Sequence, residues 1–227
     1  MRPYLVSLDP GATAVEPGGT VTTTLTVQAI GEGGALTWTA KPPAGITVTP
    51  ASGTVDVPGN GQAKVQVTLA VGAGMATGFT TVPVEVAGVS AAVKLNVAAR
   101  GTIEWHHNNA GIGDDTEAGL ANFDGIGWSY SAQALAAAGA RPGGTVTWKG
   151  HTFAWPGREP GEWDNVQAGG QTVDLTAPAG AKALALLGAG ASGDIETNLT
   201  ITYTDGSTQE TKVGFSSGWT RPNRSRA

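Results

Sequence analysis

The stretch QAKVQVTLAV, residues 62–71, decides the fold class. Ala63, Val65, Val67 and Leu69 fall on one side of its pleat, with Lys64, Gln66 and Thr68 on the other. A period of two is the signature of a β-strand buried on one face. The same alternation recurs outward from it, in TVTTTLTVQA (20–29), ALTWTA (35–40), GITVTP (45–50), TTVPVEVAG (80–88) and SAAVKLNVAA (90–99). Turn signals separate these runs every 8–12 residues: EPGG, GEGG, KPPAG and VPGNG. That spacing predicts a seven-strand, immunoglobulin-like sandwich over residues 1–99. Pro83 lacks an amide donor, which predicts an edge or a bulge in its strand. Trp38 alternates with Leu36 and is expected in the core.

Composition agrees with an all-β chain. Glycine (35) and proline (13) make up about a fifth of the 227 residues, and the apolar fraction of 40% is enough to pack an interior. The net charge is −5, and the 13 Lys and Arg are scattered except for Arg221, Arg224 and Arg226. No basic stripe exists to neutralise a phosphate backbone, which excludes nucleic acid as a partner. No run of 18 apolar residues occurs, so no transmembrane helix is expected. Cysteine is absent, and the Thr-, Gly- and Ala-rich, Lys-poor composition points to a secreted bacterial protein, expected to be monomeric. The start, MRPYLVSLDPGA, shows no signal peptide.

Residues 1–99 hold no histidine and a single tryptophan, so ligand chemistry is expected in a second domain, residues 100–227. Its expected strands are 125–135, 144–155, 172–176, 181–190, 198–204 and 209–215. SAQALAAAGA has helical propensity but reads as a strand running out into a loop. Asp205-Gly206 predicts a type I′ hairpin turn. The fold expected here is a jelly-roll-like (galactose-binding-like) sandwich, truncated at its C-terminus.

Two resemblances add to this reading. VEPGGTVTTTLTV, ALTWTAKPPAGITVTPASGTVDVPGNGQAKVQVTLAV and TGFTTVPVEV resemble the NEW3 domain, an immunoglobulin-like module associated with bacterial α-galactosidases and other glycosidases. The resemblance covers about 85 residues and implies no catalytic residues. In the second half, NNAGIGDD, NFDGIGWSYSAQAL, PGGTVT, the F-x-W-P strand, PGEWDNV and the YTDG hairpin ending in GFS follow one another across 108–217. They resemble a module of secreted actinobacterial glycosidases, of which family 92 α-mannosidase-like proteins are examples. That resemblance implies an accessory module and leaves the activity open, since one module is appended to many catalytic domains. The end, GFSSGWTRPNRSRA, departs from the pattern, which continues with further strands.

Residues 104–135 carry the richest chemistry. His106 and His107 are adjacent and diverge on a strand, and no third ligand has zinc-like spacing, so a solvent-facing pair is expected. Asn108, Asn109, Asp114, Asp115, Asn122 and Asp124 are oxygen donors in a glycine-rich loop. Asp114, Asp115, Asp124 and Asn109 suit a structural Ca²⁺, and the competing reading is a set of Asx turns bonding their own backbone. No carboxylate pair stands out, and no nucleophile elbow, HExxH or phosphate loop occurs, so no catalytic residue is assigned. Ile126, Trp128 and Tyr130, and likewise Val146 and Trp148, read as core strand faces. Trp163 lies in the polar loop REPGEWDNV, where an indole beside Asp164 and Asn165 could stack on a sugar and bond its hydroxyls. With Trp155 these form the expected carbohydrate-binding set. The function expected is a non-catalytic accessory region of a secreted glycoside hydrolase, a spacer followed by a carbohydrate-binding or substrate-presenting module whose partner is a carbohydrate or the parent's catalytic domain. The alternatives are a structural module packed on that domain without binding sugar, and a fragment of the hydrolase itself.

Overall fold

The computed structural model describes residues 4–217. Nine strands occupy its first part: β1 (Tyr4–Asp9), β2 (Ala12–Val15), β3 (Thr20–Ala29), β4 (Gly34–Ala40), β5 (Ile46–Thr49), β6 (Ser52–Val57), β7 (Gln62–Val71), β8 (Gly78–Val86) and β9 (Val89–Val97). They form one sheet in the order β1-β3-β7-β5 and a second in the order β2-β9-β8-β4-β6. The expected seven strands become nine partly because residues 4–15, ahead of the runs read as strands, form two, separated at Asp9-Pro10-Gly11. These two join different sheets, β1 pairing antiparallel with β3 and β2 parallel with β9.

The alternation at 62–71 does what it predicts. Val67, Leu69 and Val71 are buried between the sheets, with Leu25 and Val27 of β3 and Val84, Val86, Val93, Leu95 and Val97 opposite them. Trp38 is in this core, and its indole lies over Gly53 of β6. A Cβ at position 53 would stand 3.0 Å from Trp38 Nε1, so glycine is what lets the ring lie flat on the strand.

Pro83 sits in an inner strand, not at an edge. Its carbonyl accepts from Lys41 just past the end of β4, and the β4–β8 ladder runs only through Val84–Val86. In an antiparallel strand a residue's N–H and C=O point the same way, so the missing donor faces the point where pairing has already stopped.

The second part is held differently. A 3-10 turn (Glu104–His106) leads to β10 (Ile112–Gly113), a second 3-10 turn (Ala118–Leu120), β11 (Tyr130–Ser131), helix α1 (Ala132–Ala137), β12 (Thr145–Trp148), β13 (His151–Ala154), β14 (Ile195–Thr202) and β15 (Thr208–Phe215). The sheets described here are three two-stranded pairs: β10-β11, β12-β13 and β14-β15.

Several expectations change. Residues 132–137 are helical, because Ser131 caps the helix by accepting from Ala134 N at 3.0 Å. The single strand expected at 144–155 is a hairpin, turned at Lys149-Gly150 with both residues at positive φ (49° and 81°). That is the type I′ geometry expected at Asp205-Gly206. There, Gly206 alone has positive φ (84°), its N–H bonds Tyr203 O, and Tyr203 N bonds Ser207 O. This is a type I turn closed by a glycine bulge, fixed by Asp205 accepting from the backbone and hydroxyl of Ser207. Residues 172–176 and 181–190 form no strand. Of the C-terminal segment read as a departure from the module, residues 214–217 are described, and 218–227, including Arg221, Arg224 and Arg226, lie outside the described residues.

Candidate functional site

Three side chains larger than alanine are buried among the described residues after position 99: His107, Arg158 and Asp164. All three are polar, and they cluster where the second part meets the first. Asn96 is the anchor. It lies on β9 between Leu95 and Val97, which face the core, so its side chain projects from the outer face of the five-stranded sheet. It is nevertheless fully buried, because the second part covers it. Asn96 Nδ2 donates to Glu104 O at 2.6 Å, and its Oδ1 accepts from Arg158 Nη2 at 2.6 Å. Cross-strand from Asn96 stands Phe79, whose ring packs against Trp163 with centroids 5.6 Å apart. Nearby, Arg100 lies over the Trp105 ring at 4.5 Å and reaches Glu16 at 3.3 Å.

Asp164 organises the loop behind this contact. Its carboxylate accepts from Gly111 N, from Ile112 N at 2.8 Å and from Asn165 Nδ2 at 2.6 Å. Burial pushes its pKa up, opposed by these hydrogen bonds and by the Arg158 guanidinium. Arg158 carries the compensating charge, with Glu162, Glu104 and Asp164 around it. His107 completes the cluster, its Nδ1 3.2 Å from Trp163 O. Because a carbonyl only accepts, the ring must carry its proton on Nδ1. Burial and the facing Arg158 charge lower its pKa to about 4, so it is neutral at physiological pH. Arg158 Nη1 is buried without a hydrogen-bond partner, close to Gly78.

The residues expected to bind sugar are therefore placed as follows. Trp163 is half-buried against Phe79, Asp164 is buried on backbone amides, and Asn165 joins Asn109 and Asp164. Trp155 is half-buried at the end of the β12–β13 hairpin, its N–H on Gly144 O. The structure brings the first three together, at the seam between the two parts.

Of the four groups expected to hold Ca²⁺, Asp114 and Asp124 have side-chain oxygens that accept hydrogen bonds within the chain. Asp114 accepts from Thr116 and Gln133, and these bonds hold its carboxyl below the usual carboxylate range. Asp115 is exposed, its N–H on Gln133. Asp124 accepts from Ile126 N and Trp128 N, both at 3.0 Å, and Asn109 donates to Phe123 O. Among the described residues no three His, Asp or Glu lie close enough to share a metal ion. Asp114 and Asp124 each accept from the amide two residues on, which is an Asx turn. The two histidines diverge: His107 points inward, and His106 Nε2 lies 3.1 Å from Asp174 N, so His107 is not the solvent-facing residue expected.

The tryptophans expected in strand cores are exposed instead. Ile126 is 77% exposed, Trp128 61% and Trp148 62%. Their period-two spacing implies an opposing sheet, and among the described residues none covers them. Leu184, Leu186, Leu187 and Ile195 are exposed as well. Trp148, Phe153, Leu184, Leu186, Leu187 and Phe215 line one open trough, and Ile126 and Trp128 line another beside Ala191–Gly193.

A β-sandwich family model, described as an AziU2-like beta-sandwich domain, matches residues 98–221, more than half of the chain. The chain belongs to the AziU2-like family. The match covers the part bearing Arg158, Trp163 and the exposed tryptophans; it is to a β-sandwich family and not specifically to a family 92 module, and it does not reach the residues that resemble NEW3. No curated protein matches the chain. Among solved structures, an AziU2-like chain of this kind aligns with S-layer protein SbsC domains 5–6 (15% identity, 95% of this chain and 85% of that one, TM-score 0.30). It also aligns with the MSP family member WR4 of C. elegans (16% identity, 41% and 97%, TM-score 0.30). A family 123 glycoside hydrolase from Clostridium perfringens aligns at 7% identity over 45% of this chain and 25% of its own length, TM-score 0.32.

Proposed function

We propose that the chain is a non-catalytic accessory region of a secreted glycoside hydrolase. In this reading a NEW3-like sandwich (1–99) is the spacer, and the module at 100–227 packs its apolar face on the parent's catalytic domain. The observation that carries the reading is the exposed set Ile126, Trp128, Trp148, Leu184, Leu186 and Leu187, six large apolar side chains within one module. Exposed apolar surface of this extent is characteristic of protein contact sites. Aliphatic side chains are poorly suited to sugar, having no flat face for a ring to stack on and no group to bond its hydroxyls. The polar residues that could serve a sugar, Asp164 and Asn165, have their hydrogen bonds taken up within the chain.

One observation favours carbohydrate binding as a second reading. Trp148 is exposed on the β12–β13 hairpin beside Lys149 and His151, a flat aromatic with polar neighbours.

Titration calorimetry against a panel of polysaccharides, with wild type and Trp148→Ala, separates the two. The docking reading expects no heat from any glycan. It also expects Leu184→Asp with Leu186→Asp to abolish binding of an apolar dye without lowering the melting temperature. A glycan bound by wild type and lost in Trp148→Ala would replace it with the carbohydrate-binding reading.

A further inference from the structure

We infer that the outer face of β8–β9, at Phe79 and Asn96, is a docking template on which the second half of the chain depends for its fold, while the sandwich does not depend on the second half in return. The asymmetry follows from where the two parts bury their side chains. The sandwich has a continuous core of Val, Leu, Ile and Trp between its own two sheets. The second part has its large buried groups, His107, Arg158 and Asp164, at the junction, and its other buried side chains among the described residues are Ala121 and Ala140. Many of its large apolar side chains, Ile126, Trp128, Trp148, Leu184, Leu186 and Leu187 among them, are exposed, and those that do pack within it, such as Phe123 against Tyr130, are only partly buried.

Phe79 and Asn96 form one cross-strand pair on the sheet's outer face. Phe79 offers an aromatic surface to Trp163. Asn96 offers an NH2 group that donates and a carbonyl that accepts, and each serves a different segment of the second part, Glu104–Trp105 and Arg158. A single amide thus fixes two segments 54 residues apart in register, since 158 lies that far beyond 104. From there the order spreads along backbone bonds. His107 bonds Trp163 O, and Asp164 holds Gly111 and Ile112. Gly111 O accepts from Tyr130 N, and Ala110 O from Asn122 N. The loop read in the sequence as a ligand site is, on this inference, the arm by which the second part grips the first.

Amide hydrogen exchange on the full chain tests the direction of dependence, comparing wild type with Phe79→Ser, Asn96→Ala and Trp163→Ala. The expected result is exchange at least about tenfold faster at Asn122, Tyr130 and Asp164, with unchanged protection in the β3–β7 ladder. Trp163→Ala is the deciding variant, because it removes nothing from the sandwich. Wild-type protection at those three amides in Trp163→Ala would overturn the inference. So would loss of protection in the β3–β7 ladder in step with the second part, because the dependence would then be mutual.

Discussion

Acid should weaken the junction before it weakens the sandwich, and His107 sets the pH at which it does. The ring is 5% exposed, bonded through Nδ1 to Trp163 O and opposed by the Arg158 guanidinium. Its pKa falls from 6.5 to about 4. Above pH 6.5 the ring is neutral in both folded and unfolded chains, so it costs nothing. Between 6.5 and about 4 the unfolded chain takes up a proton that the folded chain refuses, and stability falls as pH falls. Across the whole window the loss is about 3 kcal/mol, comparable to a large core mutation.

Neighbouring groups do not mimic this. Asp164, its pKa raised by burial, contributes with the opposite sign, since it loses stability as pH rises through its folded value. Asp114 and Asp205, held below the ordinary value by hydrogen bonds, lose their contributions only as pH falls through the lower carboxylate range. The assay is urea unfolding at pH 7, 5.5 and 4.5, following Trp fluorescence, in wild type and His107→Gln. Glutamine keeps an amide donor for Trp163 O and does not titrate. The gap between the two proteins should therefore shift in the variant's favour as pH falls. Parallel pH profiles would refute the assignment of the acid sensitivity to His107.

Further outcomes follow from single contacts. Asp164→Asn replaces a carboxylate that accepts from Gly111, Ile112 and Asn165 and faces Arg158. It should cost about 3 kcal/mol by leaving buried donors and a charge uncompensated, measured by chemical denaturation. Gly53→Ala pushes a methyl to 3.0 Å from Trp38 Nε1 and should cost about 1–3 kcal/mol through overpacking, read as a lower melting temperature with no change in the second part's exchange. Gly78→Ser should be neutral or stabilising by about 1 kcal/mol, because the nearest atom to its Cβ is the unpartnered Arg158 Nη1 at 3.8 Å and the new hydroxyl can accept from it. A melting temperature clearly below wild type for that variant would show that the space beside Nη1 is not open.

What the sequence shows of the fold depends on whether the pattern is local. The alternation of Val67, Leu69 and Val71 identifies a core face without any knowledge of its partner, and the first sandwich is built from such runs. Ile126, Trp128 and Trp148 have the same spacing, but burial also needs an opposing layer, and no local pattern reports whether one exists. The turns show a similar division. Asp205-Gly206 marks a hairpin, yet Ser207 bonding Asp205 selects a glycine-bulge loop, while Lys149-Gly150, which carries a weaker turn signal, takes the two-residue form. The candidate site was half legible. Trp163, Asp164 and Asn165 are neighbours in the chain, but the groups that they and Arg158 contact, Phe79, Gly111 and Asn96, lie between 53 and 84 residues earlier. One signal was available for Asn96. It is an amide flanked by Leu95 and Val97 in the last strand of the first sandwich, with Phe79 a bulky aromatic at the start of the strand before it.

A polar junction also explains why two parts of such different character remain in one arrangement. An apolar patch on the outer face of β8–β9 could slide against its partner with little loss, because hydrophobic contact has no direction. Asn96 cannot slide, because moving it leaves a buried amide and the Arg158 charge unpaired, each of which is costly. Phe79 and Trp163 supply area, and Asn96, Arg158 and Asp164 supply the register in which that area is used. The bonds to Asn96 thus tie the segments at Glu104 and Arg158 to one place on the sandwich. Loss of the Asn96–Arg158 bond should therefore loosen the second part, together with the seat of its apolar troughs, while the sandwich keeps its own core.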